Sequence, residues 1–134
     1  MSAEKIIFAL LSAHTALTNV VPVARIGPGP LPQGIALPAV ATNLVSNVPR
    51  HTVSTAEAKR MHRSRVQCTA LAGTYASQKA LIRLIDDACR YRRGTVAGFT
   101  AVSVLPDIEG PDFRDDDAKV YMQTIDFLVA YAAT

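Results

Sequence analysis

The chain has 134 residues, of which 49% are hydrophobic and 19% are charged, and its formal net charge is +3. This composition excludes an intrinsically disordered chain, because disordered chains combine few hydrophobic residues with many charges. The length fits one domain that buries roughly 65 to 70% of the surface its unfolded form exposes. Two cysteines are too few for a small secreted disulfide scaffold, so we expect Cys68 and Cys89 to be reduced core thiols.

The N-terminal segment has the pattern of an amphipathic helix that Ser2 can cap. The apolar residues that recur at helical spacing are Ile6, Ala9, Leu10, Ala13 and Leu17. A signal peptide is disfavoured, because the uninterrupted apolar core covers only residues 6–11 and Glu4 places a negative charge where a signal peptide has a basic leader. No run approaches the roughly 20 apolar residues that a bilayer crossing needs, so we expect a soluble protein without membrane contact.

A short strand is predicted at residues 22–26, PVARI, and the segment that follows is rich in proline and glycine. In this segment, IGPGPLPQGIALP, residues 32–34 fit a type I turn, and Pro38 can open the next strand, predicted at residues 38–48. An interdomain linker does not fit, because neither flank is long enough to be a domain. A polyproline ligand lacks an adjoining basic anchor. We therefore interpret the segment as a wide connection between two strands.

Two further elements follow a polar stretch, residues 49–61, that we predict to be an exposed loop. The next strand, residues 63–73, alternates between an apolar and a polar face. Its apolar face consists of Val66, Cys68, Ala70 and Ala72, and its polar face of Arg65, Gln67 and Thr69. Thr74 can cap a helix that ends near residues 92–94. The apolar stripe of this helix consists of Leu81, Leu84, Ile85, Ala88 and Cys89.

The C-terminal third is predicted to contain a strand at residues 95–105 with a kink at Gly98, an acidic loop and a final strand at residues 119–131. The final strand directs its largest residues toward the buried side: Tyr121, Ile125, Phe127, Val129 and Tyr131. This order of elements predicts an α+β fold in which a mostly antiparallel β-sheet packs against two α-helices in a single domain, residues 1–134.

Seven segments together resemble a known family when they are taken in chain order. They are FALLSAHTALTNVV, RIGPG, PQGIALPAV, HTVS, RSRVQCTALAGTYASQKALIRLIDDA, YRRGTVAGFTAV and TIDFLVAY, and the resemblance runs from about Lys5 to Tyr131. They are similar to the tail-completion or tail-terminator proteins of long-tailed phages and gene transfer agents. The resemblance implies a small α+β subunit without enzymatic activity or cofactor. This subunit would form a homo-oligomeric ring, usually a hexamer, that caps the tail tube.

The resemblance also implies the partners and the location of such a ring. It would join the tail tube protein to a head or neck connector, and DNA would pass through its lumen without sequence-specific binding. Assembly would take place in the host cytoplasm, and the ring would then remain in the tail or neck of the particle.

The sequence gives little support for a catalytic site or a metal site. Cysteine nucleophiles need a histidine partner, but Cys68 lies on the predicted core face and no histidine falls in a nucleophile motif. We interpret the three histidines as solvated. The acidic cluster has four carboxylates that a cation could use, Asp112, Asp115, Asp116 and Asp117. Because this cluster lacks the spacing and turn glycine of a calcium loop, we predict no metal site.

Charge is strongly segregated along the chain. A basic segment, residues 50–65, contains Arg50, Lys59, Arg60, Arg63 and Arg65 against Glu57, a local net charge of +4. An acidic segment, residues 107–117, contains Asp107, Glu109, Asp112, Asp115, Asp116 and Asp117 against Arg114, a local net charge of −5. Three interpretations remain open at this point. The segments are solvated loops that pair within one subunit, the basic segment binds nucleic acid, or the two segments meet between neighbouring subunits of a ring.

Overall fold

The computed structural model describes residues 2–29, 36–49, 60–115 and 119–133. The described helices are α1 (Ser2–Ala13), α2 (Thr15–Thr18) and α3 (Tyr75–Cys89), and Val23–Arg25 forms a 3-10 turn. The described strands are β1 (Ile26–Pro28), β2 (Ala39–Pro49), β3 (Arg60–Ala72), β4 (Arg93–Val96), β5 (Phe99–Glu109), β6 (Phe113–Asp115) and β7 (Val120–Ala133). None of these helices is long and apolar enough to cross a membrane.

The described strands form one sheet in the order β1-β2-β3-β7-β5-β4, and β6 pairs with the beginning of β7. All pairs are antiparallel except β1 with β2. The helices α1 and α3 pack on one face of this sheet and enclose the core with it. The predicted α+β fold with a mostly antiparallel sheet and two main helices is therefore confirmed.

The strand β3 and the helix α3 form the centre of the core as the sequence indicated. Val66, Cys68, Ala70 and Ala72 are fully buried, and they face the helices because successive residues of a strand point to opposite sides. On α3, Leu81, Ile85, Ala88 and Cys89 are buried, and Leu84 is half-buried. The Ser77 amide donates a hydrogen bond to Thr74 Oγ1 over 3.1 Å, so the predicted N-cap is confirmed.

The N-terminal region differs from its predicted form in two places. The helix breaks at His14, whose backbone is extended, so that Leu17 belongs to the short α2. Consequently α1 buries Ala3, Ile6, Ile7 and Leu11, whereas Ala9 and Leu10 are half-buried and Ala13 is exposed. The predicted strand at residues 22–26 is wrong: the Arg25 amide donates to the Pro22 carbonyl, which closes the 3-10 turn. Only Ile26, the start of β1, joins the sheet.

Residues 95–105 are extended as predicted except at the predicted kink, where the chain turns back on itself as a hairpin between β4 and β5. Ala97 and Gly98 have φ values of 54° and 83°, and Val96 pairs directly with Phe99. Positive φ at both central residues is the geometry of a tight two-residue hairpin turn. The sequence did not reveal it because alanine, which pays a steric cost at positive φ, occupies the first turn position.

The boundaries of the two predicted loops also shift. Pro49 ends β2, and residues 60 and 61 begin β3, while residues 50–59 lie outside the described residues. The acidic loop contains regular structure, because β5 continues to Glu109 and β6 begins at Phe113. The turn predicted at residues 32–34 lies outside the described residues.

Candidate subunit interface

The basic segment begins β3 at the end of the sheet where β3 lies between β2 and the last residues of β7. We define this end of β2 and β3, residues 43–49 and 60–63, as the arm. Arg63 is exposed and lies opposite Val48 on β2 and Ala130 on β7. Arg60 opens β3, but its side chain lies outside the described residues, as do Arg50 and Lys59 entirely. Arg63 is therefore the described cation that this arm presents to solvent.

Arg65 is held by two carboxylates of its own subunit. Its Nη1 donates hydrogen bonds to Asp107 Oδ2 and, over 3.2 Å, to Asp126 Oδ2. The three side chains are 28%, 27% and 14% exposed, so this ion triad is partly shielded from water. Because both carboxylates favour the charged guanidinium, they raise the pKa of Arg65. Among the described residues, the basic and acidic segments thus meet at this ion triad, at the middle of the sheet.

The acidic segment is attached to β7 and α3. Lys79 Nζ donates to Asp112 Oδ1 over 2.5 Å and to Gln123 Oε1 over 3.0 Å, and the Asp112 carboxylate raises the pKa of Lys79. The Gln123 amide nitrogen donates in turn to the Gly110 carbonyl over 2.9 Å. Asp112 therefore has a partner in its own subunit. The backbone of Asp115 ends β6, whereas its side chain and all of residues 116 and 117 lie outside the described residues.

The register of the sheet places the two segments far apart. Arg63 lies opposite Ala130 of β7, and Asp115 lies opposite Val120 of the same strand. Ten residues of strand separate these positions, which is about 33 Å at the usual rise of about 3.3 Å per residue. The backbones of Arg63 and Asp115 consequently lie at opposite ends of the sheet. They belong to two different surfaces of the subunit, and a head-to-tail contact needs two different surfaces.

The cysteines are core residues, and both are fully buried. Burial raises the pKa of Cys68 to about 12 and raises the pKa of Cys89 well above its usual value. A thiol that stays protonated at neutral pH is a poor nucleophile. Within the described residues, no group of three histidine, cysteine or acidic side chains could hold a metal ion.

The histidines differ from their predicted solvated state. The ring of His62 stacks on Tyr131 with centroids 5.2 Å apart, and Phe99 contacts Tyr131 edge-on. The imidazole also lies within hydrogen-bonding distance of the Asn47 side chain. His14 is half-buried, and His51 lies outside the described residues. His62 therefore helps to attach the arm to the core.

The sequence did not single out the intrasubunit partners of the charged segments. Asp126 lies on the helix-free face of β7, and strand alternation would have placed it there, but its pairing with Arg65 requires knowing that β3 and β7 are neighbours. Nothing in the sequence distinguished Lys79 from the other residues on the polar side of α3. The exposed valines of the arm, Val45 and Val48, lie within the strand predicted at residues 38–48, and the strand pattern does not indicate their exposure.

The sequence profile of the family described as "Tail completion protein gp17" matches residues 5–132. The chain belongs to this family. Tail completion proteins are structural components of the virion, not enzymes. Comparison with curated proteins finds no match.

The tail completion protein also shares its fold with a protein from a particle structure. The similar chain comes from the "Virion of native gene transfer agent (GTA) particle". The two structures superpose with a TM-score of 0.67 at 15% identity, over 97% of this chain and 94% of the other. At that identity the match establishes a common fold, which therefore also occurs in a gene transfer agent particle.

Proposed function

We propose that this tail completion protein forms a closed ring, a hexamer, that caps the tail tube and joins the tail to the head or neck during assembly. Its partners in this proposal are further copies of itself, the tail tube protein and a head or neck connector protein, and DNA passes through the lumen without sequence-specific binding. Family membership supports the role in tail completion. The register, which puts Arg63 and Asp115 at opposite ends of one sheet, supports the ring.

The proposed contact between neighbours is heterologous: the basic segment of one subunit faces the acidic segment of the next. A ring with one rotation axis needs two different surfaces on each subunit, and a repeated head-to-tail contact closes it. Since Arg65 and Asp112 already have partners in their own subunit, the contact depends on the remaining charges. On the basic side these are Arg50, Lys59, Arg60 and Arg63, and on the acidic side they are Asp115, Asp116 and Asp117.

Light scattering of the purified full-length chain tests the ring. We expect a mass of several subunits, and electron micrographs of particle tails mixed with the labelled protein should show it at one tail end. A monomer that leaves the tails undecorated would contradict the proposal.

Duplex binding is measured in parallel at about 150 mM salt, because phosphate contacts by lysine and arginine weaken steeply as salt rises. A monomer that binds duplex DNA with a steep salt dependence would instead support a small basic nucleic-acid-binding domain. A multimer without duplex binding would support the ring.

A further inference from the structure

One row of residues on the helix-free face of the sheet, the face opposite α1 and α3, contains two exposed arginines. Residues that lie directly opposite each other in paired strands share a face, so the register defines this row. From β2 to β4 it consists of Val48, Arg63, Ala130, Ser103 and Arg93. The row lies on the helix-free face, because Val129 and Tyr131, which flank Ala130 in β7, belong to the core on the other side.

The two adjacent arginines at the start of β4 differ in their role. The Nε of Arg92 donates to the Ala88 carbonyl over 3.1 Å, so Arg92 satisfies the end of α3 on the helix side of the sheet. Arg93 is the next residue and lies opposite Ser103, on the helix-free face. Strand alternation thus directs Arg93 away from the helix that Arg92 caps.

The two arginines of the row remain unpaired within the described part of the subunit. Arg63 and Arg93 are both exposed, and no described side chain bonds to either of them. The carboxylates further along this face, Asp107 and Asp126, are bound by Arg65. The row therefore presents two positive charges to a partner.

The surface between these arginines is floored by small side chains. The floor consists of Ala130 and Ser103 together with the pair in the next row, Ala132 and Thr100, and all four are half-buried. Three strand spacings separate Arg63 from Arg93, which is about 14 Å at the usual spacing of about 4.8 Å. We call this surface the trough. Its width admits an extended segment of another molecule.

The acidic segment complements the trough in charge and in apolar surface. Val48 and Met61, which are 60% and 39% exposed, border the trough beside Arg63. The acidic segment has a local net charge of −5 and exposes 59% of Phe113. A phosphate backbone would match the arginines but not the apolar side chains, because protein–DNA interfaces are more polar than those between proteins. The chemistry of the trough therefore favours an acidic protein segment that also carries an apolar side chain.

The strand of the acidic segment lies far from the trough of its own subunit. Phe113 in β6 is opposite Met122 of β7, whereas the trough is floored by Ala130 of the same strand. Eight residues of strand separate these two positions, which is about 26 Å. The occupant that fits the trough is consequently the acidic segment of a second copy.

We propose that the acidic segment of one subunit lies in the trough of the next, with its carboxylates between Arg63 and Arg93. This inference rests on the proposed head-to-tail ring and adds Arg93, a residue outside the basic segment, to the basic surface of that ring. The charges select the register, and contact of Phe113 with Val48 and Met61 buries apolar surface. The contact is heterologous, because the trough and the acidic segment are different surfaces of each subunit.

Charge reversal at Arg93 in the full-length chain tests the inference. Arg93→Glu should raise the subunit dissociation constant about fivefold at low salt, and Arg93→Gln, which removes the charge without reversing it, about twofold. Adding Asp115→Lys and Asp116→Lys to Arg93→Glu should restore part of the affinity. The control is Arg83→Glu, the same reversal at an exposed position of α3, and it should leave the dissociation constant unchanged. Sedimentation across a salt series measures all four variants.

The outcomes separate this inference from the ring itself. A multimer whose dissociation constant does not change with Arg93→Glu would overturn the inference and leave the ring intact. A natural chain that is monomeric at all concentrations would contradict both. Duplex DNA binding is measured at the same salt concentrations. If Arg93→Glu abolishes DNA binding at an unchanged multimer mass, the trough binds a phosphate backbone, and the inference is wrong.

Discussion

The two halves of β3 follow the same alternation but differ in burial. In the half from Val66 to Ala72, every second residue is fully buried against α1 and α3, and the residues between them are half-buried. In the half from Arg60 to Arg65, Ser64 is still buried on the helix-facing side, whereas Met61 and Arg63 are exposed on the opposite face. Alternation indicates which residues share a face, but burial depends on what covers that face. The covered half, residues 66–72, stabilises the subunit, and the uncovered half, residues 60–65, keeps exposed side chains.

Truncating a residue of the covered half should have the largest effect. Phe127 lies opposite Val66 in the sheet and is fully buried. Phe127→Ala removes its transfer free energy and leaves a cavity, so we expect a loss of about 3 to 5 kcal/mol in the free energy of unfolding. Urea denaturation at low protein concentration measures this loss.

The matched control for this prediction is Val48→Ala on the uncovered arm, which should change the stability of the subunit by less than about 0.5 kcal/mol. Comparable losses in the two variants would show that the arm is part of the folding core and would remove the distinction between the two halves.

The reactivity of the two thiols tests whether Cys68 on β3 and Cys89 on α3 are buried in the same core. Because the pKa of Cys68 is about 12, roughly one thiol in a thousand is ionised at pH 9, and native protein should react with a disulfide reagent at least about a hundredfold more slowly than unfolded protein. Absorbance at a fixed reagent concentration follows the reaction. Rapid labelling of both cysteines without denaturant would contradict the assigned faces of β3 and α3.

The same shift determines the pH dependence of stability. A thiol whose pKa is higher in the folded state stabilises that state while it stays protonated. This contribution is therefore complete below the ordinary pKa of 9.0 and is lost as pH rises toward about 12. The free energy of unfolding of the natural chain should be lower at pH 10 than at pH 8. This difference between the two pH values should be smaller for Cys68→Ala.

Charge reversal on the uncovered arm should affect assembly rather than folding. In the proposed ring, Arg60→Glu with Arg63→Glu places like charges opposite the acidic segment of the neighbour, and we expect the subunit dissociation constant to rise on the order of tenfold at low salt. Adding Asp115→Lys and Asp116→Lys to the same chain should restore part of the affinity. Sedimentation or light scattering across a salt series measures the effect.

The control for the arm is Arg83→Glu, a charge reversal at an exposed position on α3. It should leave the oligomer mass unchanged. If the Arg60 and Arg63 reversals also leave it unchanged at low salt, or if the compensating substitutions give no recovery, the two charged segments do not face each other.

The smallest expected effect concerns the first turn of α3, which follows the covered half of β3. Thr74→Ala removes the acceptor of the Ser77 amide and should cost about 1 kcal/mol of subunit stability. Thr74→Ser, which keeps the hydroxyl, is the control and should recover most of it. Thermal unfolding of the two variants side by side decides whether the cap contributes as the geometry indicates.

The sequence by itself determined the elements in which local patterns and burial coincide. The alternation in β3 and the stripe and N-cap of α3 were readable because each residue's preference agreed with its tertiary environment. The quoted segments also identified the family, which the match over residues 5–132 confirms. The hairpin turn at Ala97 and Gly98 could not be predicted from the sequence. Strand pairing imposes a positive φ on Ala97, a conformation that alanine does not favour.

Only the tertiary structure decided which charged side chains form ion pairs within the subunit and which remain exposed. Arg65 and Arg63 are two residues apart on the same face of β3, and nothing local distinguishes them. Arg65 is paired because β5 and β7 bring Asp107 and Asp126 to its row of the sheet, whereas Arg63 lies opposite Ala130. The physical reason is that an ion pair depends on positions that are distant in sequence and are aligned only by strand register. The same register separates the arm from the acidic end and thereby makes two surfaces of one chain.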